Sequence, residues 1–261
     1  MLPAFLLNHR EKILKPNTIR DFPWISSFDH PVYGQFEVMQ KLYQFFPDKR
    51  ITRESIIRLY RREEWYAATM ATLIWGGINA SAPADKTKSN FYHVLTYPPE
   101  LLNDHLQHIL TLLEIGDLRK AFHLMQTEYK IPGVGYPFFT KLFHLLGESF
   151  SAVPIKPLLL DRWTTNAYYA CLLTTDQNKL ARYFPKQDIK TSSPGAIQPR
   201  GGRLLEELYE SYVLDLRSWA AELDVKPSQI QDFMFGLALN KQNEKQNPRY
   251  EVWQLIIQHP V

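Results

Sequence analysis

The chain has 261 residues, of which 45% are hydrophobic and 22% charged, so it can fill a core and does not resemble a disordered chain. Its formal net charge is +3 at pH 7. This mild excess permits contact with nucleic acid. The sequence has no basic tail that would bind nucleic acid by charge alone. Cys171 is the sole cysteine, which excludes an internal disulfide and any zinc or iron–sulfur site that needs several cysteines. We expect Cys171 to be a small buried hydrophobe.

Apolar residues recur at helical spacing along almost the whole chain, and no convincing run alternates as a β-strand would. The predicted fold class is therefore all-α. In chain order, the predicted helices cover residues 38–46, 56–60 behind a cap at Thr52, 65–78 with a stop at Gly76-Gly77, 99–113, 118–129, 137–146, 161–173, 204–223, 227–239 and 248–257. Residues 81–89 and 184–203 are predicted loops.

The apolar N-terminal stretch 1–7 is followed at once by His9, Arg10 and Glu11. It is too short for a signal peptide or a membrane span. We expect an intracellular, soluble, cytoplasmic protein that is monomeric, has no membrane partner and, if bacterial, lies near the nucleoid.

The segment 131–137 reads Ile-Pro-Gly-Val-Gly-Tyr-Pro and lies between two amphipathic helices, a pattern typical of a helix-hairpin-helix. Glycines allow backbone conformations closed to other residues and let a turn approach a phosphate. The helix that follows begins with unpaired N–H groups, which can bind a DNA phosphate directly or through a monovalent cation. We therefore expect Gly133, Val134, Gly135 and Tyr136 to bind DNA. The alternative is an ordinary tight turn between helices.

Two further strings follow the hairpin: Pro-Gly-Val-Gly-Tyr-Pro-Phe-Phe-Thr-Lys at 132–141 and Pro-Leu-Leu-Leu-Asp-Arg-Trp at 157–163. Lys141 and Asp161 lie 20 positions apart, and Asp161 opens the next predicted helix. This arrangement resembles the helix-hairpin-helix base-excision DNA glycosylases, and most of all a bacterial branch with the 8-oxoguanine DNA glycosylase fold. The specific resemblance covers about residues 118–170.

The resemblance implies that Lys141 is a nucleophile and Asp161 its carboxylate partner. An amine that burial keeps neutral can attack the sugar C1′, displace the base and leave a Schiff base, after which β-elimination cleaves the strand. A carboxylate stabilises the positive charge that develops on the sugar. The alternatives are a solvated lysine on the polar edge of its helix and a plain N-cap aspartate. Capping and catalysis by Asp161 are compatible.

The chain departs from the better-known members of this superfamily in the position of its lysine. They place it two residues after the second glycine of the hairpin, where this chain has Pro137. Lys141 lies one helical turn further, on roughly the same face, so a shifted pocket is expected.

Arg162 is a candidate phosphate contact, and His144 is more readily explained as a hydrogen-bonded histidine on a helix face. A pocket for a flipped base needs aromatic walls. The candidates for those walls are Trp65, Trp75, Phe235 and Trp253, although aromatic residues at helical spacing are usually core.

We expect two helical lobes, one formed by residues 1–51 and 151–261 and carrying Asp161, the other formed by 52–150 and carrying the hairpin. Lys141 and Asp161 would meet at the cleft, and no metal is needed for the chemistry. The expected function is a DNA N-glycosylase with AP lyase activity that acts on duplex DNA with a flipped, damaged base, 8-oxoguanine above all. The alternatives are a non-catalytic DNA-binding module, a glycosylase for modified bases of foreign DNA, and a helical protein-interaction domain.

Overall fold

The computed structural model describes residues 1–15, 22–23, 26–80, 88–187, 195–236 and 247–259. Most of the predicted loop 81–89, part of the predicted loop 184–203 and the end of the predicted helix 227–239 lie outside these ranges.

The regular secondary structure of the described residues is helical apart from two short strands, which confirms the all-α prediction. In chain order the elements are α1 (Ala4–Asn8), α2 (Arg10–Leu14), β1 (Phe22–Pro23), a 3₁₀ turn (Ser26–Asp29), α3 (Pro31–Gly34), α4 (Glu37–Phe45), β2 (Arg50–Ile51), α5 (Arg53–Arg61), α6 (Trp65–Trp75), α7 (Asn90–Leu95), α8 (Pro99–Glu114), α9 (Leu118–Gln126), α10 (Tyr136–Ser149), α11 (Arg162–Thr175), α12 (Gln177–Tyr183), α13 (Arg203–Leu223), α14 (Pro227–Phe235) and α15 (Pro248–Gln258).

Strands β1 and β2 pair antiparallel, with Phe22 opposite Ile51 and Pro23 opposite Arg50. Each strand has two residues, which is too few to produce an alternating pattern in the sequence. The helices α1, α2, α3, α7 and α12 were also not predicted; all have seven residues or fewer.

The chain divides into two compact units. The first unit comprises Met1–Thr18 and Leu158–Val261, and the second comprises Ile19–Pro157. The predicted lobes differ from these units mainly in residues 19–51, which lie with the second unit because α4 packs against α6.

A buried helix forms the centre of each unit. In the second unit, α6 packs against α4, α5, α8 and α10, and all of its side chains except Tyr66 are buried. In the first unit, α11 packs against α12, α14 and α15 and is buried from Thr164 to Leu173. Burial on all sides explains why neither helix has an amphipathic stripe. None of the described helices is long and apolar enough to cross a membrane.

Candidate active site

The hairpin, residues 131–137, joins the end of α9 to the start of α10 and is anchored by two apolar side chains. Ile131 and Val134 are buried, and the Val134 N–H donates to the Ile131 carbonyl at 3.1 Å. Gly133 has φ +81°. A Cβ atom there would lie 2.9 Å from the Asn90 carbonyl oxygen at the start of α7. Position 133 therefore requires both a left-handed backbone conformation and close contact with Asn90, and glycine satisfies both requirements.

Gly135 has a different role from Gly133. It is the N-cap of α10 in extended conformation, with φ −82°, and a Cβ there would make only an ordinary contact with Pro137. The expectation that both glycines supply unusual backbone conformations holds for Gly133 alone. As a glycine, Gly135 has no side chain with which to cap α10. Gly135 is exposed and Tyr136 is partly exposed, so the start of α10 reaches the surface of its unit.

Tyr129 holds the approach to the hairpin against α8. Its ring stacks on His105 with centroids 4.1 Å apart and planes 11° apart, and its hydroxyl lies 2.5 Å from Nδ1 of His108. Burial lowers the pKa of His105, an effect that Asp104 opposes and His108 reinforces. A neutral His105 ring is therefore favoured beneath the tyrosine.

Substitution by serine should affect protein stability differently at Gly133 and at Gly135. Gly133→Ser should destabilise the protein by about 1–3 kcal/mol, because the left-handed backbone and the Asn90 contact both disfavour a side chain. Gly135→Ser should change stability by less than about 0.5 kcal/mol, since serine is a good N-cap and the position is open. Thermal and urea unfolding of both variants measures the difference, and equal melting temperatures would contradict this account of the hairpin.

Lys141 lies in the second turn of α10 and is only 8% exposed. Its Nζ donates to the Gly76 carbonyl at the end of α6, at 3.2 Å, and lies 5.1 Å from the centroid of the Phe138 ring. Neighbouring Thr140 and His144 are buried as well. The interpretation of Lys141 as a solvated lysine on a polar helix edge is therefore wrong.

His144 is hydrogen-bonded, as expected from its place in the sequence. Its Nδ1 lies 2.9 Å from the Pro157 carbonyl, to which it donates. Gly147 also lies against Pro157, so closely that a Cβ atom on the glycine would overlap the proline ring. The C-terminal half of α10 therefore packs tightly against Pro157, the last residue of the second unit.

Asp161 is the N-cap of α11 and is 6% exposed. Its Oδ1 accepts from the backbone N–H groups of Trp163 at 2.9 Å and Thr164 at 3.2 Å. The Asp161 N–H donates in turn to Thr164 Oγ1 at 2.9 Å, which completes a capping box. The predicted N-cap is confirmed, and its hydrogen bonds fix the carboxylate in one orientation.

The segment that leads to Asp161 is held by buried polar side chains from α13 and α14. Tyr209 donates to the Leu158 carbonyl, Tyr212 donates to the Leu159 carbonyl at 2.9 Å, and the Leu159 N–H donates to Gln231 Oε1. Burial raises the pKa of Tyr212 well above its usual value, and the nearby charge of Asp161 raises it further. The phenol therefore remains a neutral donor, and the position of the carboxylate is set by the packing of the whole unit.

Arg162 is exposed, and its guanidinium carbon lies 4.6 Å from the centroid of the Trp163 ring. Arg249, from the start of α15, approaches the same indole at 4.2 Å and Phe235 at 4.9 Å. Arg249 also donates to the carbonyls of Phe235 and Gly236 at the end of α14. Two cations thus share one aromatic ring beside the Asp161 cap. The sequence did not indicate Arg249, because it is distant along the chain and belongs to no local motif.

The aromatic residues proposed for a base pocket lie in different units. Trp65 and Trp75 belong to the second unit and are buried; Trp65 stacks on Phe150, and Arg53 lies 5.4 Å from the Trp75 ring. Phe235 and Trp253 belong to the first unit, where Phe235 is partly exposed and Trp253 is buried.

Polar atoms that a base edge could use were not found from the sequence. Within the described part of the chain, Thr165 Oγ1, Gln231 Nε2 and Trp253 Nε1 are buried without a hydrogen-bond partner. They belong to α11, α14 and α15, which pack against one another. Unpaired buried polar groups are costly, so they are candidates for contact with a ligand. Single threonines, glutamines and tryptophans carry no motif that would have singled them out.

A family model described as "Putative 8-oxoguanine DNA glycosylase OGG-like protein" matches residues 23–235. The match covers most of the chain, so the protein belongs to this OGG-like family, and the resemblance stated from the motifs is confirmed. Membership of this family assigns the chain to the class of DNA glycosylases, whose substrate is DNA. No curated protein and no solved structure matches the chain.

Proposed function

We propose that the chain is a DNA N-glycosylase with associated AP lyase activity, and that it excises 8-oxoguanine through a Schiff base on Lys141. The burial of Lys141, six residues after the exposed Gly135 that begins the same helix, is the observation that carries the proposal. An exposed lysine would be ordinary, whereas a buried amine beside a DNA-binding turn, in a chain of this family, is a candidate nucleophile.

In this mechanism, DNA phosphates bind at the start of α10, directly or through a monovalent cation, with Arg162 as a further contact. The damaged nucleotide leaves the duplex and enters a pocket. Trp65, Trp75, Phe235 and Trp253 remain the aromatic candidates for that pocket. Phosphate contacts only orient the enzyme, so recognition of the base must come from other side chains.

The neutral amine of Lys141 attacks C1′ of the sugar as the bond between C1′ and the base breaks, and the base departs with that electron pair and takes up a proton. Asp161 stabilises the positive charge on the sugar as the bond breaks. The sugar ring opens to an iminium, and loss of a proton from C2′ expels the 3′ phosphate by β-elimination. Water then hydrolyses the Schiff base and regenerates the amine.

Borohydride trapping tests the nucleophile. Duplexes that carry 8-oxoguanine, uracil or an abasic site are incubated with the protein and reduced, and a covalent adduct is sought by gel electrophoresis. Lys141→Ala and Lys141→Gln should both abolish the adduct, because neither side chain can form an imine; the glutamine amide can still donate to the Gly76 carbonyl. Lys120→Ala removes an exposed lysine of the same unit and should leave the adduct unchanged.

The panel of duplexes also distinguishes the alternatives. An adduct that persists in both Lys141 variants would overturn the assignment of the nucleophile. Specific DNA binding without base release or adduct on any lesion would favour a non-catalytic module. Release of a different base would leave the chemistry in place and change the substrate.

Asp161→Asn tests the carboxylate without removing the cap. Asparagine caps helices as well as aspartate does, so the melting temperature should fall little. Base release should slow by roughly 10²- to 10⁴-fold, because the charge that stabilises the sugar cation is lost. Single-turnover kinetics on an 8-oxoguanine duplex measure the effect. A variant as active as the wild type would show that Asp161 is only a cap.

Substitutions at Gly135 test phosphate binding at the start of α10. Gly135→Asp should weaken binding to an undamaged duplex by at least about tenfold, because a carboxylate would occupy the N–H groups and repel phosphate. Gly135→Asn has nearly the same shape and capping ability without the charge, and should weaken binding less. Fluorescence anisotropy at two salt concentrations makes the comparison. Equal affinities for the two variants would place the phosphate contacts elsewhere.

A further inference from the structure

The Lys141 amine lies at the C-terminal end of α6. Gly76 follows Trp75, the last residue of that helix, and its carbonyl accepts the hydrogen bond from Nζ at 3.2 Å. Carbonyl groups at the end of a helix carry the negative pole of the helix dipole, which attracts a cation. The central buried helix of the second unit thus presents its negative end to the lysine.

Gly76 also gives the lysine room to reach that carbonyl. A Cβ atom at position 76 would lie 3.0 Å from Lys141 Cδ, closer than carbon atoms ordinarily approach. The aliphatic part of the lysine therefore lies directly against the Gly76 backbone. A larger residue would push the side chain away from its acceptor.

Phe138 provides a second stabilising contact for the amine. It precedes Lys141 by three positions on α10, so the two side chains lie on the same face of the helix. Nζ is 5.1 Å from the ring centroid, within the range of a cation–π interaction. Both a carbonyl oxygen and an aromatic face stabilise an ammonium group more than a neutral amine.

We propose that Gly76 and Phe138 are positioning residues whose carbonyl and ring, here called the ammonium seat, stabilise the protonated form of Lys141 between turnovers and raise the pH at which it becomes a nucleophile. This inference rests on the proposed role of Lys141. To attack C1′, the lysine must give a proton to solvent water and leave the Gly76 carbonyl. The ammonium seat thereby lowers the fraction of neutral, reactive amine at a given pH.

The pH dependence of adduct formation tests the inference. Gly76→Ala would displace the lysine from its acceptor, so the pH of half-maximal trapping rate should fall by about one unit, as expected for loss of one charged hydrogen bond. Phe138→Leu keeps an apolar side chain without the ring and should lower the same midpoint by about half a unit. A loss of stability alone would reduce the amount of active protein without moving the midpoint.

Gly77→Ala is the matched control. Gly77 has φ +75°, so alanine is strained there, but a Cβ atom at that position meets no heavy atom within 4 Å. It disturbs the end of α6 without touching Lys141 and should leave the midpoint at the wild-type value. Rates of borohydride trapping on an abasic-site duplex, across the range in which the amine titrates, are compared for the wild type and the three variants.

Lower midpoints in Gly76→Ala and Phe138→Leu, with Gly77→Ala unchanged, support the ammonium seat. If Gly76→Ala does not fold, the inference is tested by comparing the pH midpoint of Phe138→Leu with that of the control Gly77→Ala. A wild-type midpoint in the folded variants overturns the ammonium seat and leaves the proposed glycosylase intact. Absence of any adduct with the wild-type protein overturns the proposed function, and this inference with it.

Discussion

The structure depends on how two buried ionisable groups are stabilised by the ends of buried helices. A charge removed from water is costly unless backbone dipoles, hydrogen bonds or an opposite charge replace the lost hydration. Lys141 donates to a carbonyl at the C-terminal end of α6, and Asp161 accepts from N–H groups at the N-terminal end of α11. Each group therefore meets the helix pole of opposite sign. These two helices are also the packing centres of their units, so the core holds both groups in place.

This arrangement suits the proposed reaction, in which positive charge develops on the sugar as the bond to the base breaks. The Asp161 carboxylate is oriented in advance by its capping box and by the clamped segment before it. Groups that are already oriented need no reorganisation when positive charge develops on a sugar. The proposed role of Lys141 differs, because a carbonyl and an aromatic ring stabilise an ammonium group rather than the neutral amine that would react. In the proposed mechanism, Asp161 is oriented before the sugar becomes positively charged, whereas Lys141 must first lose a proton.

A single helix links the proposed DNA contact to the proposed nucleophile. Gly135 begins α10, and Lys141 lies six residues further, about 9 Å along the helix axis. The hairpin is in turn fixed by Gly133 against α7, while Lys141 is fixed against the end of α6. A phosphate bound at the start of α10 would therefore stand at a constant distance from the amine.

Local sequence was enough to establish the helical class, the family and the capping role of Asp161, because each is encoded in periodicity or in residues close together along the chain. Packing in three dimensions decided that Lys141 is buried rather than solvated, that Gly135 needs no unusual backbone, and that Arg249 shares the Trp163 ring with Arg162. The Gly76 carbonyl is the clearest case: the sequence indicated only a helix stop, and its pairing with Lys141 joins residues from two helices. Such contacts depend on how helices pack, and helical periodicity carries no record of which neighbour lies against which face.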